Sequence, residues 1–284
     1  MAKAYTEEIV YTDTADGLVL EGVAIRPATE TTARPLAVIW VHGLTGKFYA
    51  PTEVLISRDL AAEGYTVVSG NNRGHDFGAR IRRTDGESIL AGGGWERYDE
   101  SPHDVDAWIT FAASLGFERV VVIGHSLGAL KAAHYQALRQ DPRVAGLVAA
   151  SAALPAARPN PEVVKLAERM EAEGKGQDLL PWGSSRAGAG THSAATFLNR
   201  VRSGMDQYGL DATDPAIGTI RCPVLALFGT VQDTGTEEDL AMIRRNAKAA
   251  ERVDTAMIEG ADHVYTGRES AVARVIADWL GTIA

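Results

Sequence analysis

Five residues, Gly124-His125-Ser126-Leu127-Gly128, carry the sharpest chemical signal in the chain. A serine between two glycines at a strand-to-helix junction makes a tight turn that lifts its hydroxyl clear of the backbone, poised to attack a carbonyl. Side chains at 124 and 128 would collide with neighbouring backbone in such a turn, so both must be very small. A serine hydroxyl is a weak nucleophile near neutral pH. It needs a base, and the base needs an acid to orient it. His263, in Glu259-Gly-Ala-Asp-His-Val264, is the expected base. Of the seven histidines it alone falls late, between a strand-like segment and the final helix. Asp233, in Gly229-Thr-Val-Gln-Asp233, is the expected acid, with Glu237, Glu238 and Asp214 as the other carboxylates considered. Serine, acid, histidine is the chain order that this kind of turn accompanies.

An attack on a carbonyl creates an anion that backbone N–H groups must hold. The Leu127 N–H, just after the serine, is one expected donor. The Leu44 N–H is the other, in His42-Gly43-Leu44, where glycine allows close approach. His42, Gly43, His125 and Trp182 are candidates to line the substrate pocket, though His42 reads more readily as bonded inside its own loop. Trp182 is expected to pack on the body of the protein.

These parts need a scaffold. Arg119-Val-Val-Val-Ile123 before the serine is a β-branched run of buried-strand character, and the alanine-rich stretch 129–138 after it favours helix. Glu8–Tyr11 and Leu18–Ile25 around Asp16-Gly17 read as a hairpin, with a linker over 26–34. Leu36–Val41, Tyr65–Ser69, Val144–Ala150, Pro223–Phe228 and Thr255–Ile258 read as strands. Helices are expected to end at Gly64 and to span Asp104–Leu115, Glu237–Ala250 and Glu269–Leu280. This alternation predicts a mostly parallel sheet with helices on both faces. Pro155 to Pro215 breaks the rhythm. It is expected to be a lid over 155–215, with one helix at Glu162–Glu173 and a loose tract 182–191, inserted into a core of 1–154 and 216–284.

Composition narrows the classes of function. A net charge of −9 over 284 residues, with no basic stripe, argues against a nucleic-acid partner. The longest nearly apolar run, Val144 to Ala157, is too short for a membrane span. Met1–Glu8 lacks the apolar core of a signal peptide, and the lone Cys222, read as a small core residue, suits a reducing compartment, so the expected location is cytoplasmic. Gly43-Leu-Thr-Gly46-Lys47 fails as a phosphate loop, because position 41 is valine and position 48 is phenylalanine. His103, Asp104 and Asp106 at a helix start read as cap and dipole partners rather than metal ligands. The stretch 71–100, with its run Gly92-Gly-Gly94, reads as a long loop that Arg73-Gly74-His75-Asp76 ties to the core.

The chain resembles the α/β-hydrolase superfamily, and within it the serine esterase and lipase-like members. The resemblance rests on Val41-His42-Gly43, Arg73-Gly74-His75, Gly124-His-Ser-Leu-Gly128, Gly229 to Asp233 and Gly260-Ala-Asp-His263. It implies an α/β fold with an eight-stranded sheet, a Ser–Asp–His triad, a cap and no cofactor. The acid loop is one residue longer than the Gly-x-x-Asp spacing commonest in that superfamily. The expected activity is hydrolysis of an ester, or related acyl bond, of a small soluble substrate. Acyl transfer, thioester or amide cleavage, carbon–carbon cleavage and a lyase reaction would use the same three residues. A ligand-binding protein on the same fold is the reading from another class.

Overall fold

The structure, a computed structural model, describes residues 5–29, 34–154, 159–184 and 190–283. The hairpin comes first, as β1 (Tyr5–Asp13) and β2 (Val19–Pro27). Then follow β3 (Leu36–Val41), α1 (Pro51–Ala62) and β4 (Thr66–Gly70). The stretch read as one long loop holds a small antiparallel hairpin, β5 (Ala79–Arg82) and β6 (Ser88–Ala91). α2 (Ser101–Ser114), β7 (Arg119–His125), α3 (Leu127–Arg139) and β8 (Val144–Ala150) complete the first half. Between β8 and β9 lie α4 (Pro161–Ala172) and α5 (Ala194–Arg202). β9 (Val224–Gly229), α6 (Glu237–Asn246), β10 (Val253–Ile258) and α7 (Glu269–Leu280) close the chain.

Eight strands form one sheet in the order β1-β2-β4-β3-β7-β8-β9-β10. β1 pairs antiparallel with β2, and β2 with β4; every other neighbour pair is parallel. All six residues of β3 are buried, because helices cover the sheet on both faces. Its side chains alternate between two cores, as the two-residue period requires. Ala37, Ile39 and Val41 join the apolar layer under α2 and α3, while Leu36, Val38 and Trp40 join the layer under α1 and α7. The chain runs from β3 outward to β4, then crosses back to β7 on the other side of β3. The carboxyl ends of β3 and β7 therefore flank a switch point, where open α/β sheets leave a crevice for ligand.

The segment between β8 and β9 carries a small core of its own: Ala167, Leu180, Ala194, Phe197 and Leu198. α5 is a second helix there, absent from the sequence reading. Parts of the expected linker (30–33) and of the expected lid (155–158 and 185–189) lie outside the described residues. The segment bonds to the rest of the chain through Ser193 N–H on Gly94 O (2.7 Å), Tyr98 N–H on Asn199 Oδ1 (2.7 Å) and Trp95 Nε1–H on Gln177 O (2.9 Å). Among the described residues no helix is long and apolar enough to cross a membrane.

Candidate active site

Ser126 sits where β7 turns into α3, with φ 55° and ψ −120°. That is a costly conformation for a residue other than glycine, held here because the surroundings leave no alternative. A Cβ on Gly124 would run into Gly128 O and Ala129 Cα, and one on Gly128 into Val41 O and His42 O. Both positions must be glycine for the turn to close. The Ser126 N–H donates to Ala150 O (2.9 Å), which ties the turn to the neighbouring strand.

The loops after β9 and β10 bring Asp233 and His263 to this serine. Asp233 Oδ1 accepts from His263 Nδ1 at 2.9 Å, and His263 Nε2 lies 2.9 Å from Ser126 Oγ. A carboxylate only accepts, so Nδ1 carries the ring proton and Nε2 is left to accept from the serine hydroxyl. Gln232, just before the acid, takes a left-handed φ of 50°. Asp233 also accepts from Thr234 N–H (2.6 Å), Ser151 Oγ (2.6 Å) and Gly229 N–H. Burial pushes its carboxyl up, but the His263, Ser151 and backbone donors outweigh burial and hold it at about 2. It is an anion at any pH near neutrality. The other carboxylates do not reach this place. Glu237 and Glu238 occupy the exposed first turn of α6, and Asp214 is exposed.

The Leu127 N–H opens α3, where no intrahelical acceptor exists for it. A Cβ on Gly43 would lie 2.9 Å from Ser126 Cβ, so the loop after β3 presses against the serine and Leu44 follows directly. Among the described residues neither the Leu44 nor the Leu127 N–H has a partner.

Burial and exposure separate the pocket candidates His42, His125 and Trp182. His42 is fully buried. Its Nδ1 donates to Gly43 O (2.8 Å) and its Nε2 accepts from Asn72 N–H (2.9 Å), so both nitrogens are committed to shaping the loop. Burial and the Lys131 charge push its imidazole down to about 3, keeping it neutral. His125 is also buried, and its Nε2 donates to the backbone carbonyl of His263 (2.8 Å). It braces the histidine loop rather than lining a pocket. Trp182 does not pack on the body: it is 78% exposed, and Leu180 fills the nearby core instead. Leu180 N–H donates to His192 O and Gly183 N–H to Gly190 O, so Trp182 lies on a segment paired with 190–192.

Sequence reasoning missed several side chains around the site. Ser151, Tyr265 and the ion cluster Glu96–Lys131–Arg200 belong to no motif. Lys131 Nζ pairs with Glu96 Oε2 (2.5 Å) and Arg200 with Glu96 Oε1 (2.7 Å), joining α3, the 71–100 stretch and α5. Arg73 does tie that stretch to the rest of the chain, through the buried Asp104 (2.9 Å) and Asp16 (2.9 Å). Cys222 is half-buried against the main core, and burial pushes its thiol up to about 12, away from the nucleophilic thiolate.

A family model described as the alpha/beta hydrolase family matches residues 38–277. No curated protein matches the chain. Among solved structures, Est1E from Butyrivibrio proteoclasticus with ferulic acid bound superposes with a TM-score of 0.67, at 19% identity over 95% of this chain and 97% of that one. The hypothetical protein PA2218 from Pseudomonas aeruginosa gives 0.71 at 14% identity, over 100% and 95% of the two chains. The Pyrococcus furiosus esterase Pf2001 gives 0.61 at 18% identity, over 98% and 93%. At these identities the likeness is one of fold. The family model spans most of the sequence, and the chain belongs to the alpha/beta hydrolase family.

Proposed function

We propose that the protein is a serine hydrolase cleaving a carboxylic ester, or a related acyl bond, of a small soluble substrate through an acyl-enzyme at Ser126. One observation carries the reading: the unbroken path from Ser126 Oγ through His263 to Asp233, with both links at 2.9 Å. Ser126 Oγ attacks the carbonyl carbon while His263 Nε2 takes its proton. Asp233 steadies the imidazolium that results. The Leu44 and Leu127 N–H groups hold the oxyanion. His263 then protonates the leaving oxygen, and the alcohol departs. Water enters, gives its proton to His263 and attacks the acyl carbon, and the acid leaves as Ser126 regains its hydrogen. No cofactor is needed in this cycle.

The loops that carry the site also expose apolar side chains, with Leu44 at 41%, Val231 at 46% and Val264 at 46%. That supports an apolar acyl or alcohol group beside the reacting carbon. The lone, unreactive Cys222 suits the cytoplasm. The test is a panel of p-nitrophenyl esters of increasing acyl length, run with Ser126→Ala as the blank. Wild-type turnover that the alanine variant loses supports the reading. Turnover surviving Ser126→Ala removes it.

A further inference from the structure

Behind Asp233 lies a second layer of hydroxyl groups. Ser151 follows β8 and is fully buried. Its Oγ lies 2.6 Å from Asp233 Oδ2 and 2.7 Å from the Tyr265 hydroxyl. Serine has one hydroxyl proton, and the carboxylate can only accept. Ser151 therefore donates to Asp233 and accepts from Tyr265. Tyr265, two residues beyond His263, is also fully buried, and its ring packs on His125 with centroids 5.4 Å apart. His125 in turn holds the backbone carbonyl of His263. One connected set of side chains thus fixes both the acid and the loop that bears the base.

The backbone adds a second observation. Ser151 has φ 44° and Tyr265 φ 59°. Positive φ is uncommon for serine and rare for a bulky aromatic residue. Glycine would occupy either place without strain, and it would supply no hydroxyl. Strained non-glycine residues of this kind cluster where geometry serves function.

We propose that Ser151 and Tyr265 form a positioning relay, Tyr265 OH to Ser151 OH to Asp233, that locks the acid in the rotamer aimed at His263. This rests on the hydrolase reading above. Neither residue touches substrate. The Tyr265 hydroxyl reaches Asp233 only through Ser151, which makes the two hydroxyl effects dependent on each other.

The test uses Ser151→Ala, Tyr265→Phe and their combination in the full chain. Ser151→Ala is expected to lower kcat roughly 10- to 100-fold and leave KM in place, since the loss is one of orientation. Tyr265→Phe should cost less. The double variant should be no slower than Ser151→Ala alone. Loss of a donor leaves more negative charge on Asp233 to face the imidazolium, so the acid limb of kcat/KM should move to higher pH. The low-field proton resonance of His263 Nδ1–H reads the same contact without substrate, and it should shift or broaden in Ser151→Ala.

Ser151→Gly, which suits the observed φ, replaces Ser151→Ala should that variant not fold. Rates within about twofold of wild type, or factors that multiply in the double variant, overturn the relay. So does an unchanged His263 resonance. Ser126→Ala beside these variants separates the two failures: turnover surviving it sinks the hydrolase reading, and the resonance then decides the relay by itself.

Discussion

Gly43→Ala probes the wall against which Ser126 is built. Gly43 has a φ that any residue adopts, so alanine brings no backbone strain, only a methyl group. That methyl would lie 2.9 Å from Ser126 Cβ, 3.2 Å from His125 O and 3.4 Å from Ser126 Oγ. Two carbons in ordinary contact sit about 3.5–4.0 Å apart, so the loop and the serine must separate by roughly 0.6–1 Å. The movement falls on two parts together, the Ser126 hydroxyl and the adjoining Leu44 N–H. A misplacement of about 1 Å costs on the order of 10²-fold in rate. That corresponds to about 2.7 kcal/mol of transition-state stabilisation. The assay is kcat/KM on p-nitrophenyl acetate, with circular dichroism to establish that the variant folds. Gly176→Ala is the control, because its methyl would meet only Ala195 Cβ at 3.5 Å, an ordinary contact. A Gly43→Ala protein that folds and keeps its rate within about threefold would refute the geometry, since a shift of that size cannot go unfelt in a positioned site.

Three further outcomes follow from the same structure. Asp233→Asn keeps the shape but supplies no charge for the imidazolium, and kcat should fall by roughly 10³- to 10⁴-fold, measured by steady-state kinetics. Lys131→Met leaves the buried Glu96 with Arg200 alone, which should cost about 3–5 kcal/mol in urea unfolding at pH 7. Burial lifts the Glu53 carboxyl to about 7 from an ordinary 4.5. The folded chain therefore holds a proton there that the unfolded chain has lost, and stability declines as pH rises from 4.5 to about 7. Glu53→Gln should flatten that slope and stabilise the protein by up to about 3 kcal/mol at pH 8; parallel stability curves for the two proteins would contradict it.

The strands and the residues at their ends were readable because their signals are local. β3 is a continuous apolar run, and α7 spans the same residues as its sequence pattern. Glycines 124 and 128 announce the turn around Ser126, since contacts within a few residues demand them. β5 and β6 were not readable, being only four residues each, with Ala79 and Ile81 separated by arginine in one and a run of just three apolar residues in the other. Asp85-Gly86 was their single turn signal. α5 has only nine residues, too few for its Ala194, Phe197 and Leu198 face to build a clear period. The exposure of Trp182 goes with bonds that Leu180 and Gly183 donate to the carbonyls of His192 and Gly190, partners that the residues next to the tryptophan do not reveal. Ser151 meets Tyr265 across 114 residues of chain, and Lys131 meets Glu96 across 35. Such pairs exist only once the sheet has formed. His42 and His125 look reactive as residue types, and burial turns both into neutral braces.

The most direct measurement is the position of the covalent intermediate. A p-nitrophenyl ester reacted for milliseconds, quenched in acid and digested, should leave its acyl mass on the peptide that contains Ser126. A fluorophosphonate should mark the same residue in wild type and nothing in Ser126→Ala. An acyl group found on any other side chain, or steady hydrolysis with Ser126 never modified, would contradict the mechanism.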